Sequence, residues 1–226
     1  MSTLELTASD GHRLAAWKGE PSGSPRGAVV IVQEIFGVNS HIRSVVDAYA
    51  ANGYVAVAPA FFDRIERNYE TGYDAADIAA GRERIGRLDW ADTFADLAAA
   101  VGAARDLGNG ARVGVIGFCW GGTVAWRAAA NTPGIACSVA YYGGMIPNFL
   151  DERPKVPVLL HFGEEDKTPP PETAKAIGER YPDLADVHLY PAGHGFNCDQ
   201  RGSWNLAAAA AARDRAQCAD RFGFVF

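Results

Sequence analysis

The sequence predicts an α/β fold, with a mostly parallel central sheet and helices on both faces. Three observations carry this. Short apolar runs recur at Ala28 to Val32, Tyr54 to Ala58, Arg112 to Ile116, Ala136 to Tyr142, Val156 to His161 and Asp186 to Tyr190. Segments of helical period separate them. One run, Arg112 to Ile116, passes into an Ala-rich helical stretch through the turn Gly117-Phe118-Cys119-Trp120-Gly121-Gly122. Continuous β-branched runs suit strands covered on both faces, and strands alternating with helices build parallel sheets.

Taken in order, Thr3 to Thr7 and Leu14 to Trp17 alternate as two antiparallel strands at a sheet edge, with Ser9-Asp10-Gly11 as their turn. Asn39 or Ser40 caps a helix running to about Ala51, and Gly53 stops it. Residues 60 to 76 form a long aromatic connection, and a connection of that length usually serves function. Helices are expected from Ala75 to Leu88, from Asp92 to Leu107 and from Thr123 to Ala130. In the second of these, Phe94, Leu97, Val101 and Ala104 share one face. Thr168 and the three prolines after it start a helix over Glu172 to Arg180, and an Ala-rich helix runs from Ser203 to about Asp220.

At 226 residues, 48% of them hydrophobic, the chain suits one domain over 1–226. Its charge of −6 comes without a basic cluster, which argues against nucleic acid as a partner. No run approaches a membrane span, and the amino terminus lacks the basic and apolar parts of a secretory signal, so a cytoplasmic protein without membrane contact is expected. Cys119, Cys137, Cys198 and Cys218 form no C-x-x-C pair or close Cys/His set, against a zinc site or a disulfide scaffold.

In an open parallel sheet, binding occurs at the carboxyl ends of the strands. Three loops there carry Cys119, Asp166 in Gly163-Glu164-Glu165-Asp166, and His194 in Ala192-Gly193-His194-Gly195-Phe196. A small-residue turn between strand and helix can force one reactive side chain out over the sheet, and the order nucleophile, acid, histidine is that of the α/β-hydrolase fold. A thiol attacks as the thiolate, so it needs an imidazole to take its proton and a carboxylate to orient that imidazole. Glu164 and Glu165 remain alternatives for the acid, and His161 for the base. Backbone donors for an oxyanion are expected at Trp120 and Ile35. Glu34 stands directly before Ile35, either with a part in the site or capping the Asn39 helix or pairing with an arginine. A Gly-rich turn around a merely packed cysteine is the alternative to the whole reading.

Gln33-Glu34-Ile35-Phe36-Gly37-Val38-Asn39, the cysteine turn, Tyr141-Tyr142-Gly143, the Asp166 loop and the His194 loop together resemble the dienelactone hydrolase (carboxymethylenebutenolidase) family of the α/β-hydrolase superfamily, over nearly the whole chain. The resemblance implies Cys119 as nucleophile, His194 as base, Asp166 as its orienter, Ile35 and Trp120 as oxyanion donors, and Glu34 as a control on thiol ionisation. It implies hydrolysis of a small lactone or activated ester through a thioester, giving maleylacetate if the substrate is dienelactone, with no cofactor. Phe36, Arg82, Arg84, Tyr142 and Arg201 are the candidates for substrate binding. The arginine that the family places four residues past the histidine is Cys198 here, and Arg201 lies near enough to compensate. Monomer or small homo-oligomer is expected, and a silent binding protein or thiol sensor is the competing function.

Overall fold

Alternating residues at the amino terminus build a hairpin in which β1 (Ser2–Thr7) pairs antiparallel with β2 (Arg13–Gly19), Leu6 opposite Leu14. The structure, a computed structural model, describes residues 2–217. Residues up to Val113 group into one unit and residues from Gly114 onward into a second. Among the described residues, eight strands, mostly parallel, and six α-helices make the α/β fold that the sequence predicts.

In the first unit the strand order is β1-β2-β4-β3, with β3 (Gly27–Val32) and β4 (Tyr54–Pro59) parallel and buried at every residue. Full burial explains why these runs carry no polar alternation. α1 (Ser40–Ala51) is capped by Asn39, whose Oδ1 accepts the Ile42 N–H at 3.3 Å. α2 (Ala75–Ile85) starts in a reciprocal box between Asp74 and Asp77, and it stops at Gly86, earlier than Leu88. α3 (Trp90–Leu107) is capped by Asp89 and buries Leu97, Ala100, Val101 and Ala104. Asp96 lies on the same buried face, and there Arg64 donates to both of its oxygens at 2.8 Å. A buried carboxylate persists only when so paired. The aromatic connection holds a short 3₁₀ turn, Phe61–Arg64, with Phe61 and Phe62 buried.

In the second unit the order is β5-β6-β7-β8, for β5 (Val113–Phe118, its first residue in the first unit), β6 (Ile135–Tyr141), β7 (Val158–Gly163) and β8 (Ala185–Tyr190). β6, β7 and β8 run parallel, with Ser138 opposite Val158 and Val158 opposite Ala185. β7 begins two residues later than the sequence suggests, after Pro157, which has no N–H for a ladder. α4 (Trp120–Asn131) packs on β6, where Ser138 Oγ donates to the Ala125 carbonyl at 2.6 Å and Trp126 Nε1 to the Phe149 carbonyl at 3.1 Å.

Of the last two helices, the first keeps its expected range and the second starts later than expected. α5 (Glu172–Arg180) has Pro171 rather than Thr168 at its cap position, and the Thr168 N–H donates to Asp166 Oδ1 at 2.8 Å. α6 (Leu206–Gln217) starts after Asn205 rather than at Ser203, because Asn205 Oδ1 accepts the Ala208 N–H at 3.1 Å. The rest of that predicted helix, and Cys218, lie outside the described residues.

Candidate active site

Cys119 sits between β5 and α4 with φ 55° and ψ −115°. A non-glycine residue held there is strained by roughly 1–3 kcal/mol, so its surroundings must enforce it. Two close approaches do so. A β-carbon on Gly117 would overlap the Gly121 carbonyl, and one on Gly122 would overlap the carbonyl of Tyr141 on β6. The Cys119 N–H also donates to that Tyr141 carbonyl, at 3.0 Å. The thiol is partly exposed, whereas Cys137 and Cys198 are buried.

Asp166 and His194 leave the ends of β7 and β8. Glu164 N–H donates to the Tyr190 carbonyl at 2.8 Å and Glu165 N–H to the Ala192 carbonyl at 3.1 Å, so the two loops are tied along their backbones. His194 Nδ1 then lies 2.8 Å from Oδ2 of Asp166, whose side chain is 1% exposed. With its second oxygen held by Thr168 N–H, Asp166 has little freedom to turn away. The same imidazole is hydrogen-bonded to Cys119. Burial alone would lower the His194 pKa. The charge of Cys119 and the hydrogen bonds to Asp166 and Cys119 outweigh it and raise the value from 6.5 to about 10. A thiol, an imidazole and an orienting carboxylate in this sequence of contacts can perform acyl transfer.

The alternatives for acid and base sit elsewhere. Glu164 and Glu165 are exposed. His161 is buried in β7, with Nδ1 2.9 Å from the Tyr190 hydroxyl and its ring 4.5 Å from that of Tyr141. Trp120, the expected oxyanion donor, is the first residue of α4 and is 4% exposed. Arg201 lies against the His194 loop, since a β-carbon on Gly195 would meet its guanidinium. Tyr142 is fully buried with its ring 5.1 Å from that of His194, at φ 38°.

The remaining predicted residues belong to the first unit. Glu34 and Ile35 are buried just after β3, and the Ile35 carbonyl is seated against Gly81 of α2, where a β-carbon would overlap it. Phe36 is buried edge-on to Tyr73, ring centroids 4.6 Å apart. Arg84 pairs with Glu66 and lies 3.7 Å above the Tyr69 ring, so its charge is engaged within α2's surroundings. Arg82 is exposed on α2. The sequence did not mark the left-handed backbone of Tyr142 or the role of Gly163, whose β-carbon would overlap the Ala192 carbonyl. Gly143 beside Tyr142, and Gly163 itself, were the available signals.

Strained cysteine turn, acid loop and histidine loop follow one another along the chain as in an α/β hydrolase. The model of the dienelactone hydrolase family matches residues 14–222, and the chain belongs to that family. A Synechocystis sp. protein named, provisionally, as a carboxymethylenebutenolidase is 36% identical over 92% of this chain and 92% of its own. The carboxymethylenebutenolidase of Pseudomonas putida is 34% identical over 94% of this chain and 92% of its own. A crystal structure from Klebsiella pneumoniae, described provisionally as a dienelactone hydrolase, superimposes with a TM-score of 0.83 at 28% identity, covering 96% of this chain and 98% of that one.

Proposed function

We propose that this protein is a carboxylic ester hydrolase that opens a small lactone or activated ester through a thioester on Cys119. The observation that carries the proposal is the hydrogen-bonded series from Asp166 to His194 to Cys119, set on a strained turn. Relatives named carboxymethylenebutenolidase point to a dienelactone-like substrate, which would yield maleylacetate.

In the proposed reaction the Cys119 sulfur attacks the carbonyl carbon while its proton resides on His194. The oxyanion of the tetrahedral intermediate accepts from the Trp120 N–H, and the family resemblance implies the Ile35 N–H as a second donor. Collapse breaks the ester C–O bond, and the leaving alkoxide or enolate takes the imidazolium proton. His194 then removes a proton from water as the water attacks the thioester, and sulfur leaves as the free acid forms. The net change is the addition of one water. No step draws on a cofactor.

Arg201, beside the His194 loop, is the arginine we assign to a substrate carboxylate in place of the position held by Cys198; Arg82 is a second candidate. The family model spans both units, which supports reading residues 1–226 as one α/β-hydrolase domain. No helix of the described residues is long and apolar enough to cross a membrane; a cytoplasmic location is proposed from the sequence alone.

A panel of lactones and aryl esters assayed with wild type and Cys119→Ala tests the reading. Turnover by wild type and its loss in a folded Cys119→Ala are expected. Undiminished hydrolysis in the variant sinks the thioester route. Failure of wild type on every ester, with ready oxidation of Cys119, favours the binding or sensing role instead.

A further inference from the structure

Among the described residues of the second unit, two non-glycine residues hold left-handed backbone, and only one of them is the cysteine. The other is Tyr142, the residue after β6, at φ 38°. For a bulky aromatic side chain this is an outlier that the surroundings must hold in place. They hold it from both sides. The Tyr142 N–H donates to the His161 carbonyl on β7 at 2.8 Å, and the preceding carbonyl, of Tyr141, takes the Cys119 N–H. A β-carbon on Gly122 of α4 would overlap that same Tyr141 carbonyl and crowd the Gly143 backbone, so residues 141–143 lie directly under the first turn of α4.

The backbone so held presents the Tyr142 ring to the base. Its centroid lies 5.1 Å from that of His194 at an interplanar angle of 61°, and 5.3 Å from Phe196 two residues further along the histidine loop. Phe118, the residue before the cysteine, is 6.4 Å away on the other flank. The ring has no solvent-exposed surface, which sets it apart from a group that meets substrate. We propose that Tyr142 is a positioning residue: its ring, fixed by the left-handed backbone, sets the distance and tilt of the His194 imidazole relative to Cys119.

The ring acts beside the two groups already bonded to the imidazole. Cys119 reaches it from the β5–α4 turn and Asp166 from the loop after β7; each fixes one direction, and neither fixes the tilt of the ring plane. An edge-on aromatic neighbour supplies that third constraint through contact and through the electrostatics of its π-system. The inference rests on the hydrolase reading for its kinetic consequence, though not for its structural one.

The test compares wild type, Tyr142→Asn and Tyr142→Phe in two assays. Asparagine tolerates left-handed backbone, so Tyr142→Asn removes the ring with little disturbance to the chain. The first assay is turnover of an aryl ester. The second is ¹⁵N NMR titration of the His194 imidazole, assigned by the signal that vanishes in His194→Gln. Tyr142→Asn is expected to lose roughly 10²-fold in kcat with KM nearly unchanged, as a misplaced catalytic group does. Its His194 midpoint should fall by roughly one pH unit from the wild-type value as the contacts to Asp166 and Cys119 loosen. Tyr142→Phe, which returns the ring alone, should rescue both.

Wild-type kcat and an unmoved His194 midpoint in folded Tyr142→Asn overturn the proposal. A raised KM at constant kcat also overturns it, because Tyr142 would then be touching substrate. Should the asparagine variant not fold by circular dichroism, Tyr142→Leu replaces it under the same two criteria. If wild type hydrolyses no ester, the function proposed above fails, and the NMR midpoints alone decide the role of Tyr142.

Discussion

Gly163 and Ala192 touch backbone to backbone: the Ala192 carbonyl fills the place where a β-carbon of residue 163 would stand. Because Asp166 and His194 follow these two residues by three and two positions, this contact sets how far apart the two loops begin. Replacing Gly163 with alanine should push them apart. Overpacking against backbone is expected to cost about 2–3 kcal/mol in urea unfolding, and the longer Asp166–His194 contact to lower kcat/KM at least roughly tenfold. Unchanged stability together with unchanged kcat/KM would show that the loops relax freely.

The raised pKa of His194 gives a pH dependence with a definite sign. Burial opposes the protonated ring, and the charge of Cys119 with the hydrogen bonds to Asp166 and Cys119 more than restores it, to about 10. The imidazolium therefore persists through neutral pH in the free enzyme, and the descending limb of kcat/KM should lie near 10, where the leaving group loses its proton donor. Asp166→Asn should move that limb to lower pH, the contribution of Cys119 remaining, and lower kcat by on the order of 10²- to 10⁴-fold. The folded protein holds this proton more tightly than the unfolded chain. Its contribution to stability is therefore full below 6.5 and lost as pH rises toward 10. Denaturation of wild type and variant at pH 6 and pH 10 should show the larger difference at pH 6.

His161 behaves oppositely. Burial holds its pKa well below 6.5, and the nearby charges of His188 and Arg215 push the same way. The unfolded chain gains a proton below 6.5 that the folded protein resists, so stability falls as pH drops through that range. His161→Phe fills much the same space between Tyr141 and His188 and takes no proton. Its urea midpoint should decline less than that of wild type between pH 7 and pH 5. Parallel declines would show that His161 is not the group responsible.

Glu34 is buried directly before the proposed oxyanion donor Ile35. If it opposes thiolate formation as the family resemblance implies, Glu34→Gln should raise the alkylation rate of Cys119 by iodoacetamide, by roughly threefold or more. Slower alkylation would make Glu34 the acceptor of the thiol proton. No change would leave it a structural carboxylate.

Most of the fold was legible because burial leaves a local record. β3 and β4 are buried at every position, and their sequences are correspondingly apolar throughout; Asn39 announces α1 by a cap that needs only its own next turn. Where neighbouring residues could each fill the same local role, the sequence does not choose between them. Pro171 rather than Thr168 holds the cap position of α5, and Asn205 rather than Ser203 starts α6. Arg84 was a candidate for a substrate carboxylate, but it is engaged by Glu66 and Tyr69, which a sequence does not set beside it.

By itself, the sequence determined the class: alternating buried strands and helices, a cysteine between glycines, and an acid and a histidine following in hydrolase order. These are matters of composition and spacing, which a chain carries whether folded or not. The sequence ranked Asp166 and His194 ahead of Glu164, Glu165 and His161, and the tertiary structure alone supplied their contact, since of the three neighbouring carboxylates only Asp166 is turned inward. It also decided the left-handed turn at Tyr142. The physical reason is common to both: each depends on hydrogen bonds and close backbone contacts between the ends of β5, β6, β7 and β8, segments far apart along the chain that only the folded sheet brings together.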